Sequence, residues 1–368
     1  MPQGLDYMKL PCLGRNDTGE LSAKYLRKDP QEVTKLRSEI IRTAVVNFEP
    51  DLILVDKKPY GLQGELESTL TYLKQHLPAT KLVLLLRDIL DTPEVTIKEW
   101  HQNDFYHALQ NYYDQILVVG MPEIFDVTKE YQFPISLSKK TKFCGYICRE
   151  YGYKPTELIR QELQVKPKEK LVLVTPGGGG DGYHLVETYL QGLTQLSAKH
   201  KIKSLIISGP EMPQDRTQKL SQIIQQFPHV QMSEFTDDIA SYMDAADAVV
   251  CMGGYNTICE VLSLSKRVVV VPRIKPVQEQ WIRAKKMAEF GLFKTIHPRD
   301  LTPQHLMDAV LEQLDSNSHS FPAVARIDLN ALPRIQQYLL ELVFGKVLYD
   351  RTRFFTLNPT KKSLISVN

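Results

Sequence analysis

No stretch of this chain stays apolar for the roughly 20 residues that a membrane-spanning helix needs. Its first residues, MPQGLDYMKLPCLG, lack the basic-then-apolar pattern of a secretory signal. A cytoplasmic protein is therefore expected, with at most peripheral contact to a membrane. Neither charge sign is in excess: 45 Lys and Arg stand against 43 Asp and Glu, a formal net charge of +2. A nucleic-acid binder would cluster its basic residues on one face, whereas here the two signs alternate, so no nucleic-acid partner is expected. Paired Cys-x-x-Cys spacing is also missing among Cys12, Cys144, Cys148, Cys251 and Cys259. Cys144 and Cys148 lie in the strand-like run TKFCGYIC with no two further ligands beside them, which argues against a zinc site. Buried free thiols in a reducing compartment are the expectation, with no metal and no cofactor.

What is present is a double alternation of helical and strand patterns over 368 residues, too long for one ordinary core. Val33, Leu36, Ile40, Ile41, Ala44, Val45 and Phe48 recur at helical spacing, and Pro50 stops that helix. Short apolar runs follow at 51–56, 81–88, 115–120 and 141–148, with helices predicted over 65–76 and 99–113. After a polar stretch containing Pro155 and Pro167, a second series begins at 170–174, 204–208, 230–235, 247–251, 267–271 and 293–296. This reads as α/β throughout, with two Rossmann-like domains built on parallel sheets. The predicted divisions are 1–150, a linker over 151–169, a second domain over 170–335, and a closing helix and tail over 336–368. The first half has fewer strands, and LDYMKLPCL offers no strand leading into a Gly-rich turn. It is expected to be a truncated domain, with the chain starting part-way into a longer ancestor.

Three strand-to-helix corners in the second half carry the chemistry. The first, LVTPGGGGDGYH, places Gly177, Gly178, Gly179, Gly180 and Gly182 before a helix, where bare N–H groups and the helix dipole suit a phosphate. Read literally, Gly177, Gly179 and Gly182 also satisfy the G-x-G-x-x-G of a dinucleotide site. Against that, the next strand ends in Ser208-Gly209-Pro210 where a ribose-binding acid would stand. Tight packing alone would also explain such a turn. The second corner is Cys251-Met252-Gly253-Gly254-Tyr255-Asn256-Thr257, followed one turn on by Glu260. Asn256 and Thr257 could donate to a diphosphate, and Glu260 could accept from ribose hydroxyls. Thr257-x-x-Glu260 is equally a capping box. The third corner follows RVVVVP and opens a helix with Glu279 and Gln280, an acid–amide pair suited to adjacent sugar hydroxyls. The plain alternative is an acid at a helix start, paired with Arg283 at i, i+4.

Together, GG-Y-N-T-x-x-E, an apolar strand, a Pro and E-Q-x-x-R-A resemble the donor-site signature of glycosyltransferase family 28. The resemblance implies a GT-B fold whose first domain faces the acceptor and whose second binds the donor. It implies that Gly253, Gly254, Asn256 and Thr257 hold the diphosphate, that Glu260 holds the ribose and that Glu279 and Gln280 contact the sugar. Phe235 and Thr236 then line the base, and the loop around Gly177–Gly180 faces the interdomain cleft. The implied activity is inverting transfer of a hexose or N-acetylhexosamine from a nucleoside-diphosphate sugar, a UDP-sugar foremost, to an unknown acceptor. Two departures stand out. Met252 replaces the histidine of the looser signature, and nothing before Leu21 supplies the Gly-x-Gly-His loop that opens family members. That gap keeps open a non-catalytic nucleotide-sugar-binding subunit, completed by a partner chain. A GT-B-fold sugar-nucleotide epimerase and a dinucleotide oxidoreductase are the remaining alternatives. No catalytic base is assigned. Asp56, Asp88 and His184 are candidates, the two aspartates equally readable as turn caps and the histidine as helix surface.

Overall fold

Parallel strands can be joined only by crossover connections, and the helical stretches between the apolar runs supply them. The computed structural model describes residues 6–15, 21–197, 200–315, 326–345 and, for the backbone, 364–367. In the first half a short antiparallel pair, β1 (Leu13–Arg15) and β2 (Leu21–Ala23), precedes helix Pro30–Phe48. That helix starts where Asp29 accepts from the Gln31 N–H with Pro30 in the first turn, and it ends at Glu49 in a left-handed conformation. Strands β3 (Leu52–Asp56), β4 (Lys81–Arg87), β5 (Gln115–Val119) and β6 (Thr141–Phe143) then lie side by side, all parallel.

The second half forms its own parallel sheet from β7 (Lys170–Thr175), β8 (Ile202–Ile207), β9 (Val230–Ser233), β10 (Ala248–Cys251), β11 (Val268–Val270) and β12 (Lys294–Thr295). Their spatial order is β12-β11-β10-β7-β8-β9, a doubly wound arrangement with β7 and β10 at the centre. Helix Ala331–Phe344 closes the chain against the first half, where Arg334 donates to the Cys144 carbonyl. Of the tail from residue 348, only 364–367 lies within the described residues. It forms β13 (Leu364–Val367), parallel to β3 at the sheet edge. The described first sheet thus has five strands, one of them supplied by the end of the chain.

Several predicted boundaries move for local reasons. The helix expected over 99–113 is two helices, Pro93–Gln102 and Phe105–Asn111, because Asp104 adopts a left-handed φ of 54° between them. The helix expected from 65 begins at Glu67 after a 3₁₀ turn, Leu62–Gly64. The run 141–148 is a strand only to Phe143. Beyond it Tyr146 N–H donates to the Asp328 carbonyl and Ile147 bridges Asn330, so this segment pairs with the returning chain. The polar linker contains helix Thr156–Glu162, fixed to the second half by Arg160, which donates to Ala245 O and Asp247.

Alternate residues of both sheets face opposite ways, as parallel strands buried on both faces require. Ile53, Val55, Leu82, Leu84, Ile116 and Val118 belong to a core whose buried residues all come from the first half, with Ile282 of the second half packed against it. Val172, Val174, Ile206, Val250 and Val269 belong to one confined to the second. The intervening residues, among them Leu52, Val83, Leu117, Leu173, Val249 and Val270, join a third cluster that runs through Tyr146 and Tyr255 across both halves. An apolar core therefore runs continuously from one half into the other.

Candidate functional site: three loops at the carboxyl edge of the second sheet

β10 pairs with β7 on one side and β11 on the other, all in the same direction. The loops leaving their carboxyl ends are therefore neighbours, and each leads into a helix: Tyr183–Leu193, Tyr255–Ser263 and Glu279–Glu289. None of the three helices has a side-chain cap on its first N–H groups. Uncapped N–H groups at adjacent helix starts favour an anion.

The glycines divide by what surrounds them. Gly179 (φ 93°) packs directly against backbone: a methyl group placed on it would lie 2.2 Å from the Ser208 carbonyl oxygen. One on Gly209 would meet the Gly177 carbonyl at 2.3 Å, and one on Gly182 would strike Pro176. These glycines allow one turn to sit on the next. Gly178 and Gly180 border Glu211, whose N–H donates to the Gly178 carbonyl. Gly177 is different. Its φ is 88°, and the only described atom within 4 Å of an added methyl would be Thr257 Oγ1 at 4.0 Å, so this glycine faces the second corner across open space.

In that second corner Gly253 is buried with φ 75°, and a methyl group there would lie 2.7 Å from Val270 Cγ1. Gly254 is the N-cap of its helix, half-buried, and a methyl group on it would be 4.0 Å from Gln280 Nε2. Thr257 therefore sits inside the first helical turn rather than at the cap. The capping-box reading of Thr257 and Glu260 falls on this point, since the cap position belongs to Gly254. Asn256 is exposed, whereas Thr257 and Glu260 are half-buried. Burial pushes the Glu260 carboxyl above the usual glutamate range, while the nearby Arg149 guanidinium acts in the opposite direction.

The third corner closes the group. Gln280, 8% exposed, accepts the Arg273 N–H through Oε1 at 3.0 Å. The Arg273 guanidinium reaches Asp181 of the glycine loop at 3.4 Å and Glu279 at 3.9 Å. Glu279 also lies 3.8 Å from Arg283. Contacts thus link loop one to loop three through Asp181–Arg273. Loop one adjoins loop two at Gly177–Thr257, and loop two adjoins loop three at Gly254–Gln280. The pair expected to line the base lies just after β9, where Phe235 is 62% exposed and Thr236 Oγ1 accepts the Asp238 N–H. Asp238 in turn accepts from the Tyr153 N–H, placing a second exposed aromatic residue, on the linker, beside this turn.

Arg149 was missed by sequence reasoning. It follows the last apolar run of the first half, and its Nη2 donates to Asn256 Oδ1 at 2.8 Å. The one local signal was a single cation at the junction of the two halves. Arg149 Nε and Arg273 Nε are both buried without a hydrogen-bond partner among the described residues. Two buried guanidinium N–H groups left unmatched beside uncapped helix starts are what an anionic ligand would satisfy.

The candidate bases fare unequally. Asp56 is exposed at the carboxyl end of β3, where its carbonyl accepts from Lys58 N–H. His184 is exposed on its helix, 3.9 Å from Glu187. Asp88 is fully buried and held by Arg283, which is also fully buried. Nearly all the lone pairs of that carboxylate are engaged, so it is not a free base. Arg283 likewise serves Asp88 at 2.8 Å in preference to its i, i+4 neighbour Glu279 at 3.8 Å. Among the described residues no group of three or more His, Cys, Asp or Glu could hold a metal.

Residues 171–338, which include all three corners, match the glycosyltransferase family 28 C-terminal domain. A Haemophilus influenzae protein named UDP-N-acetylglucosamine--N-acetylmuramyl-(pentapeptide) pyrophosphoryl-undecaprenol N-acetylglucosamine transferase is 28% identical over 142 residues. That match spans 38% of this chain and 39% of the relative, so the chain covers well under two thirds of the relative's length. Acinetobacter baumannii MurG superposes over 90% of this chain and 83% of its own, with TM-score 0.56 and 15% identity. The UDP-GlcNAc 2-epimerase of Neisseria meningitidis, bound to UDP-GlcNAc, superposes over 86% and 83% with TM-score 0.57 and 14% identity. At these identities the likeness shows the fold, and the chain has the GT-B fold.

Proposed function

We propose that the chain is an inverting glycosyltransferase that takes a hexose or N-acetylhexosamine from a UDP-sugar and passes it to an acceptor hydroxyl. The observation that carries this reading is the convergence of the three corners within the segment matching the family 28 donor domain. In the proposed complex the diphosphate lies over Gly253, Gly254, Asn256 and Thr257, with Gly177 opposite and Arg149 and Arg273 at its flanks. Glu260 accepts from the ribose hydroxyls. Phe235 and Thr236 border the base, and Glu279 with Gln280 contacts the sugar.

The acceptor oxygen would attack the anomeric carbon as the bond to the diphosphate oxygen breaks, its electron pair leaving with the nucleoside diphosphate. Charge then grows on the leaving diphosphate, where fixed N–H groups already point. Removing one such donor typically costs about 2.7–4 kcal/mol of transition-state stabilisation. The acceptor proton passes to a base that remains unassigned, with Asp56 now favoured over Asp88 because its carboxylate is exposed. The named Haemophilus relative uses UDP-N-acetylglucosamine and a lipid-linked acceptor, which supports an N-acetylhexosamine donor and an acceptor presented at a membrane surface. No helix among the described residues is long and apolar enough to cross a membrane, so contact with such an acceptor would be peripheral. Five unpaired cysteines accord with a reducing, cytoplasmic setting.

The test is incubation with UDP-N-acetylglucosamine and UDP-glucose, with and without lipid-linked and soluble sugar acceptors. Release of UDP with a new glycosidic bond of inverted configuration is expected. Release of N-acetylmannosamine or its nucleotide without an acceptor would favour the epimerase reading, which the Neisseria superposition keeps in view. Tight UDP binding with no turnover on any acceptor would favour the non-catalytic subunit.

A further inference from the structure

Arg283 is the largest fully buried side chain of the described residues, and it sits between the two halves. From helix Glu279–Glu289 its Nε and Nη2 donate to both oxygens of Asp88, at 2.9 and 2.8 Å. Asp88 belongs to the first half, directly after β4, and is 195 residues distant in sequence. The same carboxylate accepts from the Tyr146 hydroxyl at 3.1 Å and from the Ile89 N–H at 2.8 Å. Gly120 makes room for it, since a methyl group there would lie 2.5 Å from Asp88 Cβ.

The remaining arm of Arg283 reaches the donor corner. Nη1 donates to the Gly253 carbonyl at 3.3 Å, and the guanidinium lies over the Tyr255 ring at 5.5 Å. Tyr255 itself donates through its hydroxyl to the Val119 carbonyl of the first half at 3.0 Å. A further bond runs from Gln278 N–H to Asp91 Oδ1 at 2.9 Å. In a trans peptide unit the C=O of Gly253 and the N–H of Gly254 point in opposite directions. Fixing that carbonyl on Arg283 turns the Gly254 N–H away from the buried pair and orients the helix start that follows.

We propose that Asp88 and Arg283 are positioning residues: together they lock the first half against the second and, through the Gly253 carbonyl, hold the diphosphate corner in its binding shape. Donor affinity then depends on closure of the cleft. A buried charge stripped of its partner is strongly unfavourable, so separating the halves would leave Arg283 free to turn from Gly253. This rests on the donor-site reading above, and neither residue need touch the substrate.

The test uses the full chain with Cys12 and Cys148 changed to serine and spin labels placed on cysteines at Lys98 and Lys219, one exposed site in each half. Distance distributions and UDP affinity are measured for this protein and for Asp88→Asn, Arg283→Lys and Asp91→Ala, each below its melting temperature. Asp91→Ala removes an interdomain bond without stranding a buried charge, so it remains informative if the other variants fail to fold. The expected result is a longer or broader distance in each folded variant and UDP binding weakened about tenfold in Asp88→Asn and Arg283→Lys. Asp91→Ala is expected to move both readouts in the same direction by less. Folded variants with unchanged UDP affinity would overturn the proposal, whether or not the distance changed. A parent protein that binds neither UDP, GDP nor TDP would overturn it together with the donor-site reading, and only that outcome touches both.

Discussion

Replacing Glu260 with glutamine separates binding from folding more cleanly than any other single change at the site. The carboxyl is half-buried one turn beyond Thr257, and burial raises its pKa while Arg149 opposes the rise. A carboxyl whose pKa is higher in the folded chain than in the unfolded one binds its proton more tightly when folded. Its charged form therefore costs stability at neutral pH, and that cost is relieved as pH falls through the folded pKa. Glutamine keeps the shape without the charge, so Glu260→Gln is expected to melt slightly higher than the parent at pH 7, with the difference shrinking in acid. Binding moves the other way. Hydrogen bonds to a charged acceptor contribute about 1.5–3 kcal/mol, and the glutamine amide oxygen still accepts at roughly half that strength, so UDP binding is expected to weaken about 3- to 13-fold. Calorimetric titration with UDP and with an analogue lacking both ribose hydroxyls closes a cycle. The analogue should bind the parent about as weakly as it binds the variant. A variant with unchanged UDP affinity and a lower melting temperature would refute the ribose role and leave Glu260 as helix scaffolding.

Gly253→Ala places a methyl group 2.7 Å from Val270 Cγ1 at a φ of 75°. We expect a loss of about 1–3 kcal/mol by thermal or denaturant melting, accompanied by weaker UDP binding; parent-like melting would contradict the observed loop shape. Asp247 accepts the Leu171 N–H at 2.7 Å and Arg160 at 3.0 Å, and these bonds hold its carboxyl below the usual aspartate range despite burial. Because the folded pKa is the lower one, its contribution is present above the unfolded pKa and lost as pH falls through the folded value. Asp247→Asn should therefore destabilise at pH 7 by about 1–3 kcal/mol, with the difference fading below about pH 4; a constant difference across that range would contradict the ionic role. Burial pushes the Cys144 and Cys251 thiols up to about 12 and Cys259 up to about 11, whereas Cys148 is exposed. A thiol reagent at pH 8 should modify Cys148 in the native protein and leave those three until it unfolds, which peptide mapping would show.

Local patterns were legible in the sequence and partnerships across it were not. The 3.6-residue rhythm of Val33, Ile41 and Val45 gave the helix that the structure contains, ending where Pro50 requires. Strand-Gly-helix corners likewise placed Gly177, Gly253 and Gln280 at one sheet edge, because parallel topology fixes which ends meet. The break at Asp104 escaped because a left-handed residue leaves no mark on apolar spacing. Thr257 looked like a cap because Thr-x-x-Glu is a local rule, whereas Gly254 occupies the cap position. Arg149 and the Asp88–Arg283 pair escaped for a deeper reason. Each acts on a residue more than 100 positions away, and although Asp88 stood out at a strand end and Arg283 beside Glu279, nothing nearby in sequence points from one partner to the other. The tail illustrates the same limit, since the pairing of Leu364–Val367 with β3 depends on an edge left free far earlier in the chain.

A crystal structure of the protein soaked with UDP tests the donor site most directly. The expected density has the diphosphate within hydrogen-bonding distance of the N–H groups at 254–257, a guanidinium of Arg149 or Arg273 alongside, and the ribose on Glu260. Nucleotide bound away from these three loops, or no binding at concentrations that saturate ordinary UDP-sugar enzymes, would contradict it.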